Sequence, residues 1–146
     1  NPWSVSREAW SDDRARFTCV YNERGHRIVR VISIDADAGV ARSIVEEAPD
    51  TFVDYAGKLF LHRFPTGEDG REDLLWMTER SGWNHLLLVD ARTGEIRREV
   101  TSGPWVVRAV DHVDDEARRV RLRVMGVNEG EDPYHVHFAQ VVADSG

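Results

Sequence analysis

The chain has 146 residues, enough for one hydrophobic core, and 41% of them are hydrophobic while 31% are charged. Its net charge of −7 disfavours nucleic acid as a partner, because a phosphate-binding surface needs an excess of basic residues. No apolar run approaches the roughly 18 residues needed to cross a bilayer, so no membrane partner is expected. The single cysteine, Cys19, excludes an internal disulfide, and its alternation with core positions predicts a small buried residue.

Short apolar or alternating segments, separated by turn residues, follow one another along the whole chain, and none sustains a helical period. They predict strands at residues 4–10, 16–21, 27–34, 40–45, 58–64, 74–78, 85–89, 95–100, 105–112, 119–125 and 134–142. A short segment at residues 51–55 precedes the fifth of these strands. The predicted fold class is therefore all-β.

A hairpin that closes on an aspartate and a following glycine recurs along the chain, as ERGHRIVRVISIDADAG, ERSGWNHLLLVDARTG and, more weakly, NEGEDPYHVHFAQVVADSG. The closing aspartates, Asp35, Asp90 and Asp144, are about 55 residues apart, a period typical of propeller blades. We therefore expect a partial β-propeller of about three four-stranded antiparallel blades, with the last blade incomplete. The expected blades, at residues 3–46, 51–102 and 103–146, would form a single propeller segment.

About three blades, one of them unfinished, do not close a ring, and ring closure is how a propeller hides its sheet edges. The sequence therefore predicts a piece of a longer propeller. An array of three sheets, either self-contained or closed by homodimerisation, is the alternative.

Residues of the types that carry out nucleophilic catalysis are not arranged in a recognisable motif. No G-x-S-x-G elbow occurs, so no catalytic residue and no cofactor are predicted. The Glu46-Glu47 pair ends a predicted strand just before Pro49, where solvated acids are common. A basic group that alternates with apolar residues is interpreted as one solvated strand face: Arg118, Arg119, Arg121 and Arg123.

Histidines and tryptophans offer further candidates. His135 and His137 share one face of a predicted strand and could reach one metal ion, with a third ligand from Glu131 or Asp132. A polar strand face without metal is the preferred interpretation, and a metal-binding β protein is kept as an alternative. Four others are expected to be structural, through hydrogen bonds across turns or through packing between blades: His26, His85, Trp83 and Trp105.

The stretch from Leu74 to Asp114 resembles the N-terminal β-propeller of dipeptidyl peptidase IV and its bacterial relatives in the prolyl oligopeptidase family. The segment WMTERSGWNHLLLVD is similar to the family pattern W-x-S-E-R-D-G-W-N-H-L-Y-L-Y-D, and TSGPW is similar to its step into the next blade. Thr78 and Ser81 replace the family's usual serine and aspartate. Leu87 and Val89 replace its tyrosines, a loss on one strand face that is expected to change packing more than chemistry.

The resemblance implies a non-catalytic propeller portion of a dipeptidyl peptidase IV-like serine exopeptidase. Family members carry the Ser-Asp-His triad on a C-terminal α/β-hydrolase domain outside these residues, so the implied partners are that domain and short peptide substrates. The family's segment before the KLFLHRF-like strand approaches the substrate cavity, which makes Phe52 and Asp54 the candidate substrate-binding residues. The Glu46-Glu47 pair does not match the family's substrate-gripping glutamates. A protein-binding scaffold propeller without peptidase activity is the alternative.

Overall fold

The structure, a computed structural model, describes all 146 residues and contains eleven β-strands and no helix. The strands are β1 (Pro2–Trp10), β2 (Arg16–Glu23), β3 (Val29–Asp35), β4 (Ala41–Glu47), β5 (Leu61–Arg63), β6 (Asp73–Thr78), β7 (His85–Asp90), β8 (Ile96–Glu99), β9 (Val106–Asp114), β10 (Arg119–Met125) and β11 (Val136–Val142). The predicted all-β fold class is confirmed. No helix long and apolar enough to cross a membrane is present.

The first of two compact units comprises residues 1–55 together with residues 91–95. Its strands form one antiparallel sheet in the order β1-β2-β3-β4. Alternate residues of β3 point to the buried side, where Val29 and Val31 have no exposed surface, and Cys19 of β2 is also buried. The predicted role of Cys19 as a small buried residue is confirmed.

The second unit comprises residues 56–90 and 96–146 and holds two antiparallel sheets, in the orders β5-β6-β7-β8 and β11-β10-β9. One hydrophobic core joins them. It takes Leu75, Met77, Leu86 and Leu88 from the first sheet and Val107, Val120, Leu122 and Val124 from the second. In β10 every second residue enters this core and the intervening arginines are exposed, as a period of two requires.

Sheets of four, four and three strands are consistent with a partial β-propeller whose last repeat lacks a strand. The limits of the individual blades, and the treatment of the chain as one propeller segment, stay predictions.

The first two repeated turns use the same Asp-x-x-x-Gly pattern, but their glycines meet different surroundings. Asp35 accepts hydrogen bonds from the backbone N–H groups of Asp37 and Ala38, and Gly39 follows with a φ of 67° and open space around it. Gly94 has a φ of 82°, and a Cβ placed on it would lie 2.5 Å from the carbonyl oxygen of Ile44. The first glycine is needed for its backbone conformation, the second also for a close approach.

Candidate functional site

The candidate substrate-binding residues lie in residues 51–55, an irregular segment between β4 and β5. Phe52 is 63% exposed, and Asp54 is half-buried. The backbone N–H of Tyr55 donates to the carbonyl oxygen of Val53 at 2.8 Å, which closes a tight turn around Asp54. The Phe52 side chain therefore lies outside the core, where a ligand could reach it. The assignment of these two residues to substrate binding stays a prediction.

The turn between β2 and β3 anchors this segment. Val53 donates its backbone N–H to the carbonyl oxygen of His26 at 2.7 Å, and the rings of His26 and Tyr55 stack with their centroids 4.2 Å apart. Arg27 Nη2 adds a hydrogen bond to the carbonyl oxygen of Asp50 at 3.4 Å. Sequence reasoning missed these contacts, because they join residues more than twenty positions apart that share no motif.

His26 makes the kind of contact expected of it, since its Nδ1 lies 3.2 Å from Oδ1 of Asn22 across the turn. The other hairpin histidine, His85, is 4% exposed and is bonded through both ring nitrogens. A carbonyl oxygen can only accept, so Nε2 of His85 donates to the Gly103 carbonyl at 2.9 Å. In the neutral imidazole Nδ1, at 3.0 Å, then accepts from the hydroxyl of Thr101, which itself accepts the N–H of Leu86. Both ring nitrogens are used to hold the backbone.

Asn84, next to His85 in the most distinctive motif of the chain, connects the two sheets of the second unit. Its side-chain Nδ2 donates to the carbonyl oxygen of Val107 at 2.6 Å, and its backbone carbonyl oxygen accepts the Val107 N–H at 2.8 Å. Trp105 packs against the shared core and meets His85 edge-on at 4.9 Å, as expected of a packing residue. Trp83 is 44% exposed, and the expectation that it packs between blades stays a prediction. Asn84 and His85 therefore both hold the backbone around this motif.

A group of three arginines and three aspartates, termed here the arginine–aspartate cluster, lies in the second unit. It comprises Arg71, Arg97, Arg118, Asp73, Asp90 and Asp144. Asp73 is at its centre with a fully buried side chain, and all three arginines contact it at 2.6 to 2.9 Å. Equal numbers of opposite charges make the burial of this carboxylate tolerable.

Arg118 corrects one sequence interpretation. Arg119, Arg121 and Arg123 are exposed on β10 as expected, but Arg118 lies in the preceding turn with a φ of 49°. Its guanidinium contacts Asp73 and Asp144 and covers the ring of Phe64 at 4.0 Å. The interpretation as a solvated residue is wrong for Arg118, because the turn takes it out of the strand alternation.

The cluster also changes proton affinities. Burial by itself would lower the pKa of Arg71 and raise the pKa of Asp144, since it penalises both charged forms. The neighbouring charges and hydrogen bonds outweigh the effect of burial on the pKa of both groups. Asp73 and Asp144 raise the pKa of Arg71, and the hydrogen bond and charge of Arg118, followed by those of Arg71, lower the pKa of Asp144. Both shifts favour the charged forms of Arg71 and Asp144.

The two histidines considered as metal ligands both hydrogen-bond the carboxylate of Glu131, one of the candidate third ligands. Glu131 accepts from His135 Nδ1 at 3.1 Å and from His137 Nε2 at 2.7 Å, and Asn128 Nδ2 donates to it at 2.8 Å. The bond from Asn128, followed by the bond from His135, lowers the pKa of Glu131 to about 2. No three His, Cys, Asp or Glu side chains in the structure are arranged to hold a metal ion. Asn128, Glu131 and His135 lie in the turn before β11, and His137 is the second residue of that strand.

Glu46 and Glu47 differ in their surroundings. Glu46 pairs with Arg30 at 2.5 Å on the surface, whereas Glu47 is only 9% exposed. The interpretation of the pair as two solvated acids is therefore wrong for Glu47, which the end of β4 turns inward.

The sequence model of the dipeptidyl peptidase IV N-terminal region matches residues 3–132 of this chain. The fold is similar to that of dipeptidyl peptidase 4 from Porphyromonas gingivalis, with a TM-score of 0.67 and 21% identity over 84% of this chain and 16% of that protein. It is also similar to a protein of Bacteroides ovatus described as a dipeptidyl aminopeptidase IV, with a TM-score of 0.66 and 16% identity over 97% of this chain and 21% of that one. The chain thus spans about a fifth or less of the length of either structure, and at these identities the likeness is one of fold.

Proposed function

Because the chain belongs to the family of dipeptidyl peptidase IV N-terminal regions, we propose that it is a non-catalytic part of the propeller of a serine exopeptidase. In this proposal it forms part of the wall of a cavity that admits short peptides, while an α/β-hydrolase domain elsewhere in the longer protein supplies the catalytic triad. The observation that carries the proposal is the family match over residues 3–132.

Exposed apolar faces support a place within a longer propeller. In the sheet β1–β4, Trp3 and Trp10 are 55% and 59% exposed, and in the sheet β9–β11, Phe138 is 82% exposed. Repeat proteins cover such faces with the adjoining repeat, and terminal repeats that lack a cap expose them.

Phe52 and Asp54 are proposed to contact the peptide, because one offers an exposed aromatic ring and the other a carboxylate on the same short segment. An aromatic face binds apolar side chains, and a carboxylate attracts a positively charged group. The propeller would then select peptides by their access to the cavity and by their contacts with these two residues. The α/β-hydrolase domain would cleave the peptide bond.

The test uses the longer natural protein that contains this chain, assayed with a dipeptide linked to a chromophore. We expect hydrolysis that serine-directed inhibitors abolish. Phe52→Ala is expected to raise KM about fivefold with kcat unchanged, as for the loss of a contact worth about 1 kcal/mol. Val40→Ala, a change at a residue 61% exposed in the β3–β4 turn, is the control and should leave KM unchanged.

Two results would overturn the proposal. One is turnover by the 146-residue chain alone that serine-directed inhibitors abolish, because the chain would then hold its own nucleophile. The other is a longer protein without peptidase activity, which would favour a protein-binding scaffold. An unchanged KM in both Phe52→Ala and Asp54→Asn would remove these two residues from the cavity wall.

A further inference from the structure

We propose that His26 is a positioning residue that fixes the conformation of residues 51–55 and thereby the placement of Phe52 and Asp54. This inference rests on the proposed function, because the placement of these two side chains affects peptides only if they line the cavity. His26 itself is not proposed to touch the peptide.

The backbone of the β2–β3 turn directs the His26 ring. Gly25 and His26 both have left-handed backbone conformations, with φ values of 97° and 55°. The His26 N–H donates to the carbonyl oxygen of Glu23 at 2.9 Å, which closes the turn. Histidine is among the residues that tolerate this conformation best, so the turn and the ring are compatible.

Three contacts hold the His26 ring in one orientation. Its Nδ1 lies 3.2 Å from Oδ1 of Asn22, a residue that is 3% exposed and therefore a fixed support. Trp3 meets the ring edge-on at 5.2 Å, and Tyr55 stacks on it at 4.2 Å with an angle of 29° between the planes. The imidazole is thus enclosed between one aromatic ring of β1 and one of the candidate segment.

The same residue also holds the backbone of the segment, because its carbonyl oxygen accepts the Val53 N–H at 2.7 Å. This bond fixes Val53, directly after Phe52, and the stacking contact fixes Tyr55, directly after Asp54. On the other side, the carbonyl of Asp50 accepts from Arg27. The segment is thus attached to the β2–β3 turn on both sides of Phe52. Phe52 and Asp54 therefore have less conformational freedom than they would have in an unattached segment.

The experiment measures amide hydrogen exchange in the 146-residue chain and in variants of it. His26→Asn keeps a residue that tolerates the left-handed conformation and removes the ring, and Tyr55→Leu removes the other half of the stack. In both variants the amides of Val53 and Tyr55 should exchange roughly threefold to tenfold faster, the size expected from one aromatic pair. Tyr55→Phe keeps the stack and should exchange like the unmodified chain.

The amide of Val31 in β3 is the internal reference, since it belongs to the core of the same unit. If its exchange rises equally in His26→Asn, that variant has lost global stability, and Tyr55→Leu decides the question. Unchanged exchange of Val53 and Tyr55 in Tyr55→Leu would overturn the positioning role.

The KM of the longer protein separates this inference from the proposed function. We expect His26→Asn to raise KM in the same direction as Phe52→Ala, with kcat unchanged. Faster exchange together with an unchanged KM in His26→Asn, while Phe52→Ala still raises KM, would overturn the inference and leave the proposed function standing. An unchanged KM in Phe52→Ala would count against the proposed function alone, because the exchange results do not depend on peptide binding.

Discussion

Asp73 and Arg118 form an ion pair although they are 45 positions apart in the sequence, with Arg118 Nη2 at 2.6 Å from Asp73 Oδ2. Asp73 begins β6, and Arg118 lies in the turn that leads into β10, so the pair joins the two sheets of the second unit. The Asp73 side chain has no exposed surface, whereas Arg118 retains about a fifth of its own. The pair extends the contact between the two sheets beyond their shared hydrophobic core.

Replacing Asp73 by Asn is expected to lower the free energy of unfolding by about 3 kcal/mol. The reason is that three arginines then lose the buried carboxylate with which all of them pair. Chemical denaturation followed by circular dichroism measures the change. Asp111→Asn is the control, since Asp111 pairs with Arg123 at 2.8 Å on the surface and should contribute less than about 1 kcal/mol. Equal losses in the two variants would contradict a central role for Asp73.

Substitution of the two turn glycines by alanine separates backbone strain from steric conflict. Gly39→Ala should cost about 1 kcal/mol, because its φ is positive but nothing surrounds it. Gly94→Ala adds a clash with the Ile44 carbonyl 2.5 Å away, so its cost should exceed that of Gly39→Ala by about 1 to 3 kcal/mol. The difference in melting temperature between the two variants measures this. A smaller loss for Gly94→Ala would mean that the Ile44 backbone moves aside at little cost.

Thr101→Val tests the bonds around His85. The change keeps the shape of the side chain but removes a hydroxyl that accepts from the Leu86 N–H at 3.0 Å and bonds His85 Nδ1. Both partners are buried and lose their bond, so we expect a loss of about 2 kcal/mol in the free energy of unfolding. Thr93→Val in the exposed β7–β8 turn is the matched control and should cost well under half as much. Similar losses would show that the His85 bonds contribute little.

The strands and the repeat were predictable from the sequence because both depend on local patterns. Alternation in β10 and the β-branched run of β3 gave their positions to within two residues, and the closing aspartates gave the repeat. Arg118 shows where such reasoning ends. Its neighbours fit a period of two, but a turn places its side chain on Asp73, and a one-dimensional pattern carries no information about that partner.

The candidate segment shows a similar limit. The resemblance to a family makes Phe52 and Asp54 candidates, whereas in the sequence His26 is distinguished only as a member of a repeated hairpin. His26 lies in a turn, and its partners Val53 and Tyr55 lie in an irregular segment. Neither the turn nor the segment has a sequence period from which a contact partner could be predicted. Long-range contacts between irregular segments need the three-dimensional structure.

The last prediction concerns the carboxylate of Glu131 and its dependence on pH. The bond from Asn128, with the bonds from His135 and His137, lowers its pKa from 4.5 to about 2 in the folded chain. Since the folded pKa is the lower one, these bonds stabilise the turn fully above about pH 4.5 and are lost as pH falls through about 2. Carbon-13 NMR of the Glu131 carboxyl group should therefore give a titration midpoint near 2. Asn128→Ala should raise that midpoint, because Asn128 makes the largest contribution. A midpoint near 4.5 in the unmodified chain would mean that the turn does not hold the carboxylate in solution.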